Sequence, residues 1–399
     1  MPASPQQPSD GLTPSSPGFR RVLLAVLFAG LSSFQAMYST QALLPMLSDD
    51  LRIDPATAAL TVSATTGALA CAIIPVSVLS ERFGRRRVIV VGAMAASILG
   101  LTLAFAPGAA ALIALRLLQG VAIAGVPAVV MTYVSEEIDR AHVPSVMGLY
   151  VSGTTVGGLL GRIIPAIALE FTQWRTAIFF SALVSLLFAV LTLWLLPRPR
   201  RFTPKKLTLG GEARAIAGHL RNPRLVGLYV LAFLSMGAFV SLYNYMGYRL
   251  GDTFGLSAAA AGLVFLLYLA GTWSSAQAGG MARSWGRRPT MIGAVTVAVV
   301  GLLLVLAPVL WLLLLGVGVF TGAFFVAHSL ASSGVGLIAE ENRAEASSMY
   351  LFSYYAGSSI VGWFSGHVFG WVGWGGFVGW LIALMTEIGR AVQQECRDR

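Results

Sequence analysis

Charge is what this sequence has least of. Only 11% of its 399 residues are Asp, Glu, Lys or Arg, against roughly a quarter in soluble domains. Acid is the scarcer sign, with 17 Asp and Glu against 27 Lys and Arg. Cysteine is nearly absent: Cys71 and Cys396 give no disulfide framework. No Gly-x-x-x-x-Gly-Lys-Ser/Thr loop occurs, so ATP is not the expected energy source. Neither His-Glu-x-x-His nor Gly-x-Ser-x-Gly occurs, so no catalytic residues, metal or cofactor are expected. GVGVFTG (316–322) matches a dinucleotide loop only loosely; it lies inside an apolar run and reads as helix packing.

Apolar length is what the sequence has. It is 56% hydrophobic with 44 glycines, and a helix needs about 20 apolar residues to cross a bilayer. Twelve runs predict spans at 22–44, 57–80, 88–107, 109–134, 147–170, 176–196, 224–248, 258–282, 290–307, 309–338, 344–368 and 373–386. Lys and Arg crowd the loops of one side, nineteen against three (Arg52, Arg175 and Arg249) on the other. Because basic loops stay in the cytoplasm, both termini are predicted inside. The same asymmetry accounts for the net charge of +10, so no nucleic-acid partner is expected. Residues 1–19 are Pro/Ser-rich and expected to be disordered. The first run is too long for a signal-peptide core and reads as an uncleaved helix.

The chain repeats itself. Gly84 in FGRRR is echoed by Gly286 in WGRRP, and GTTVGG (153–158) by GSSIVG (357–362). SEEIDRA (135–141) returns as AEENRA (339–344), and Asp50 as Asp252. All share an offset of about 202–204 residues. The expected fold is all-α: two parallel six-helix repeats, 20–196 and 224–385, joined by a basic cytoplasmic linker, 197–223. Such a layout implies a transporter whose halves rock around a midplane site. The twelfth run is short of a full span, and 386–399 turns abruptly polar and reads as a non-native tail.

Particular stretches carry a family resemblance. SVLSERFGRRRVI (77–89) resembles the signature loop of the major facilitator superfamily, with Leu79, Arg82, Gly84, Arg85 and Arg86 in place and Glu81 standing for the aspartate. GGMARSWGRR (279–288) is a second copy that keeps Gly286 and Arg287 but carries Arg283 where the acid belongs. RLLQG (116–120) matches the family's Arg-x-x-Gln-Gly. GTTVGGLLGR (153–162) resembles the antiporter motif of helix 5, with Gly158 at its proline and Arg162 at its last glycine. Over residues 20–385 the chain looks like the YnfM-type, acriflavine-sensitivity branch. The resemblance implies a 12-helix inner-membrane transporter.

Candidate residues follow. Glu81, Arg82, Gly84, Arg85 and Arg86, with Glu136 and Glu137 and the second-copy Gly286 and Arg287, are expected to form a cytoplasmic gate. Exposed pairs are worth only about 0–1 kcal/mol each, enough to bias states a few kcal/mol apart. Gly153, Gly157 and Gly161 recur every four residues and read as a helix-packing face. Arg116 and Arg162 lie inside spans, where a charge costs at least about 2.5–3.5 kcal/mol, so both are expected to serve substrate or coupling. Glu170 is the nearest acid to Arg162 and its candidate partner. Helix 1 offers Gln35, Tyr38 and Gln41. His328 is the mid-span group that titrates near neutrality, though a satisfied structural histidine is the plainer reading. Tyr243, Asn244, Tyr248, Tyr268, Trp273, Tyr354, Tyr355 and Ser358 are expected to line the cavity.

The expected function is secondary active transport of small organic molecules by alternating access, in the export direction, with the proton gradient as energy source. The alternatives are an uptake permease for an organic anion and a transporter-like membrane sensor; an enzyme is not expected. The expected setting is a monomer in inner-membrane lipid. The branch resemblance points to cationic substrates. Two in-span arginines and no mid-depth carboxylate point instead to neutral or anionic ones.

Overall fold

The computed structural model of the chain describes residues 11–200, 202, 216–339 and 341–394, the side chains of 344 and 391–394 excepted. Long helices dominate it: α1 (Phe19–Leu51), α2 (Pro55–Phe83), α3 (Arg85–Leu103), α4 (Ala109–Glu137), α5 (Val143–Ala168), α6 (Trp174–Leu195), α7 (Pro223–Phe254), α8 (Ala258–Trp285), α9 (Arg287–Val305) and α10 (Leu310–Ile338). A final helical stretch, Arg343–Gln394, is broken at Gly373, whose φ of 65° lies outside helical space. It is therefore two helices, α11 (343–372) and α12 (374–394), so a helix stands at each of the twelve expected runs. α12 runs past the apolar stretch read from the sequence, and Met385 and Ile388 are both buried. Residues 395–399 of the expected tail and most of the 197–223 linker lie outside the described residues.

Successive helices run up and down, so both described termini and the α6–α7 linker share one end, the terminal end; the opposite one is the distal end. Helix boundaries follow local chemistry. Asp54 caps α2 by accepting from the Thr57 N–H at 3.0 Å, and Ser257 caps α8, each satisfying a free N–H of a first turn. Gly84 and Gly286 turn α2 into α3 and α8 into α9 at the same φ, 88°, a conformation that favours glycine. The duplication is thus visible in backbone angles as well as in letters.

Small residues set the tightest packing. A Cβ on Gly153, Gly157 or Gly161 would lie 2.5–2.6 Å from the carbonyl oxygens of Leu27, Leu31 and Gln35. α5 therefore lies directly on the α1 backbone. Gly357 of α11 meets the Phe233 carbonyl of α7 in the same way. Residues 11–18, expected to be disordered with the rest of 1–19, are held instead. The Leu12 N–H donates to the Glu137 carbonyl (2.8 Å), and Asp139 N–H donates back to Leu12 (3.1 Å), because the Leu12 side chain is buried against the α4–α5 loop. Aromatic side chains such as Trp194, Trp273, Trp311 and Trp371 are exposed on the outer surface, as suits a lipid-facing wall.

Candidate functional site: an arginine between the halves

The site begins with a break in α1. Its first segment ends at Tyr38, a 3-10 turn follows at Gln41–Leu43, and helix resumes at Leu44. A helix end leaves carbonyls without partners, and here Arg116 of α4 supplies the donors. Its guanidinium donates to the carbonyls of Ala36 (2.8 Å) and Met37, to Thr61 of α2 (2.5 Å) and to the Gln119 side chain (2.5 Å). Gln119 in turn donates to the Ala96 carbonyl (2.8 Å). Arg116 is spent on backbone. It fixes the bend, and the bend presents Tyr38 and Gln41 to the interface between the halves.

Arg162 of α5 meets them there. Its Nε donates to Gln41 Oε1 (2.6 Å), its Nη1 to the Gly158 carbonyl (2.8 Å) and its Nη2 to Tyr268 Oη of α8 (3.1 Å). The guanidinium carbon lies 3.8 Å from the Tyr38 ring centre, 4.6 Å from Tyr268 and 5.1 Å from Phe265. Arginine stacked on aromatic faces is favourable, and this one is 2% exposed. Its partners are neutral. Glu170, the anticipated acid, lies elsewhere: its carboxylate accepts the Ala259 N–H at the start of α8 (2.9 Å). The reason is length, since two helical turns separate Glu170 from Arg162 and α8 offers a nearer, unsatisfied N–H.

Around Arg162 the halves are joined. Gln41 Nε2 donates to Asn244 Oδ1 (2.7 Å). Tyr248 Oη pairs with Ser48 (2.6 Å) and donates to the Leu44 carbonyl (3.0 Å). Ser359 donates to the Ser63 carbonyl (2.7 Å), and Ser358 to Thr66 (3.4 Å). Among the described residues these cross-half bonds all lie in the distal half of the molecule. Toward the terminal end, Gly148 and Ser152 continue the Arg162 face of α5, and Thr272 and Ala276 the Tyr268 face of α8. All four are exposed. The cleft between α5 and α8 is closed distally and open terminally.

Other candidates divide. Tyr243 bonds Thr321 (2.8 Å) and packs on Phe265 and Tyr268, joining the aromatic wall below Arg162. His328 pairs with Tyr350 Oη (2.9 Å), and its ring centre lies 4.8 Å from that of Tyr354. Tyr354 packs edge-on against Tyr355. Gln35 donates to the Ser181 carbonyl inside the first half (2.8 Å). Trp273 is 70% exposed and lies about 140° round α8 from Tyr268, so it does not join the wall that Tyr268 forms. A groove of about 340 Å³ among Val76, Leu79, Phe83, Val91 and Val121 likewise has exposed apolar walls.

The signature loop forms a cluster at the terminal end. Arg85 pairs with Glu81 and, through two nitrogens, with Glu136 (2.9 and 3.4 Å). Arg86 donates to the carbonyls of Leu196 (2.7 Å) and Leu193 (3.0 Å), tying α3 to the end of α6. Arg82 is exposed on the α2 end beside Phe83. Glu137 does not join Glu136 on Arg85; it accepts the Arg200 N–H (2.7 Å), being turned about 100° from Glu136 round the helix end. In the second copy Arg287 donates to the Leu330 carbonyl. A buried serine cluster, Ser32, Ser97 and Ser185 (Ser97–Ser185 2.8 Å), was not singled out in the sequence. Single serines among apolar residues carry no periodic signal.

Comparison with known proteins is decisive for the family. The model of the Major Facilitator Superfamily matches residues 26–272. The MFS-type transporter YybF of Bacillus subtilis is 36% identical over 93% of this chain and 92% of its own. The chain belongs to the major facilitator superfamily. This superfamily member is also 39% identical to the inner membrane transport protein YnfM of Escherichia coli, over 96% of this chain and 93% of that one. Among solved structures, nucleoside transporter NupG superposes with a TM-score of 0.77 at 16% identity, over 94% of this chain and 99% of the other. A bacterial homologue of the lysosomal transporter Spinster, inward-facing and unoccupied, gives 0.75 at 14% identity over 95% of each chain. Those two likenesses concern the fold. The chain is a multi-pass membrane transporter of this superfamily.

Proposed function

We propose that this transporter exports small organic molecules, anionic or neutral, by alternating access, with the proton gradient as its energy source. The observation that carries the substrate class is Arg162. It is a buried guanidinium at the meeting of the halves, held by neutral partners. Arginine offers a planar donor fork matched to a carboxylate or phosphate, and an incoming anion replaces weaker neutral acceptors. A cation would meet the same charge with no acid beside it. Export draws support from the likeness to the YnfM-type branch and from 31% identity, over 45% of this chain, to the MFS antiporter QDR3 of Candida albicans. With the basic loops in the cytoplasm, the terminal end faces inward, and the conformation is open to the cytoplasm of a bacterial inner membrane.

A second reading, uptake of an organic anion, is favoured by the same arginine together with 27% identity, over 40% of this chain, to the gallate transporter of Pseudomonas putida. Membrane potential opposes anion entry by about 2.3 kcal/mol per charge per 100 mV, so that direction needs a co-transported proton.

One experiment addresses both. Vesicles of either orientation, with and without a pH gradient, are assayed with organic acids, their amides and cationic dyes. Arg162→Ala and Arg162→Lys are expected to insert normally and to lose at least about tenfold in rate, since lysine lacks the planar fork. Dye export that survives Arg162→Ala, with no movement of acids, refutes the substrate class.

A further inference from the structure

The side chain beyond Arg162 has a direction that chemistry fixes. A guanidinium has donors only, so the Gln41 atom facing Arg162 Nε at 2.6 Å is its oxygen. The Gln41 nitrogen therefore points at Asn244, 2.7 Å away, and the Asn244 atom facing it is again oxygen. Amide orientation is often a matter of choice; here one arginine sets two amides in series. The donor left over is Asn244 Nδ2, which finds no partner among the described residues, on a residue 1% exposed.

A second such atom lies opposite. Ser63 Oγ of α2, on a residue also 1% exposed, has no partner among the described residues either. Both face one spot. A Cβ on Gly362 of α11 would sit 3.5 Å from Ser63 Oγ and 3.7 Å from Asn244 Nδ2, with Val240 Cγ1 also at 3.5 Å. Glycine leaves that room open. Hydrogen bonds in series polarise one another, and this series starts on a cation, so its last N–H is a stronger donor than a lone amide.

We propose that Ser63, Asn244 and Gly362 form a notch that binds one acceptor oxygen, of a carboxylate or carbonyl, on the transported molecule. The inference rests on the transporter reading above and deepens it. Ser63 belongs to the first half, and Asn244 and Gly362 to the second. An oxygen in the notch gains both bonds only while the distal ends are together, so occupancy favours the closed distal face and couples loading to closure.

The test uses the purified full chain in liposomes, with initial rates for benzoate, benzamide and a cationic acridine dye. Gly362→Ala adds one methyl at ordinary contact distances, and alanine is the better helix former, so its melting temperature should hold. Gly362→Ala and Asn244→Asp are expected to raise KM at least tenfold for whichever carbonyl probe the wild type moves, and Ser63→Ala several-fold. If Gly362→Ala fails to fold, the other two variants decide. Preference for benzamide over benzoate, with those same losses, keeps the notch and removes the anion reading. Preference for benzoate with all three variants like wild type overturns the notch and keeps the anion reading. A wild type that moves neither carbonyl probe overturns the notch.

Discussion

At the scale of single residues, the two in-span arginines do different work. Arg116 binds carbonyls that the break in α1 leaves free, whereas Arg162 stands between the halves. Arg116→Ala strips donors from the Ala36, Met37 and Thr61 carbonyls, and each buried polar group left unpaired costs about 1–3 kcal/mol. The expected outcome is a lower melting temperature in detergent, by several degrees, together with lost transport; Arg116→Lys should fall between, having fewer donors. Arg162→Ala takes the donor from one buried side-chain oxygen, Gln41 Oε1, and should lose transport with a smaller fall in melting temperature, so a scan of both variants separates the roles. Sequence reasoning found both arginines, because any in-span charge is costly. It did not sort them, because hydropathy is blind to a helix break; the signal was Pro45, at the start of the resumed helix, which has no N–H to continue the first segment. Glu170 misled for a related reason: proximity along the helix says nothing about the N–H groups that α8 brings from the other half.

At the scale of elements, the glycine stripe of α5 makes a sharp contrast. Gly157→Ala would place a methyl 2.5 Å from the Leu31 carbonyl and force α1 and α5 apart, at a cost of about 1–3 kcal/mol. Gly148→Ala, on the same helix, meets nothing within 4 Å and should be neutral or gain about 0.5–1 kcal/mol from helix propensity. Thermal melts of the two purified variants check this directly. The helices themselves were legible because apolar length is a strong signal, and the stripe because its period is that of a helix face. Which partner the stripe met was not legible, since α1 answers it with a single glycine, Gly30, against the α5 backbone and otherwise with its own carbonyls, and one glycine makes no stripe. The signature loop makes the other element-scale case. Glu136→Ala leaves Arg85 only partners on α2, Glu81 and Ser80, among the described residues' ion pairs and hydrogen bonds, and should loosen the α4–α5 loop against α2–α3, raising amide exchange there severalfold while the distal helices keep their protection. Equal exchange in variant and wild type would remove the cluster as a brace.

At the scale of the whole molecule, the distal face is a seal with one carboxylate clasp. The Ala259 N–H and the Ser257 hydroxyl hold the Glu170 carboxyl below its ordinary value of 4.5. A lowered value means that the clasp is fully present above 4.5 and is lost as pH falls through the shifted value. Between pH 5 and 8 it should not titrate. Spin labels at Phe171→Cys and Leu263→Cys, with the native cysteines changed to serine, are expected to separate only in strong acid. With Glu170→Ala they should be further apart at pH 7 and indifferent to acid. A wild-type distance that changes between pH 5 and 8 would contradict the assignment. The bond between Gln41 and Asn244 has a different meaning. The two residues are 203 apart, inside the 202–204 offset of the duplication, so near-equivalent positions of the two halves touch across the axis that relates them. A residue on a two-fold axis meets its own copy. A carboxylate there would face a carboxylate and an ammonium an ammonium; a carboxamide, with one donor end and one acceptor end, pairs with itself. The seam can therefore be crossed by the same chemistry whether the two halves are one chain or two identical ones.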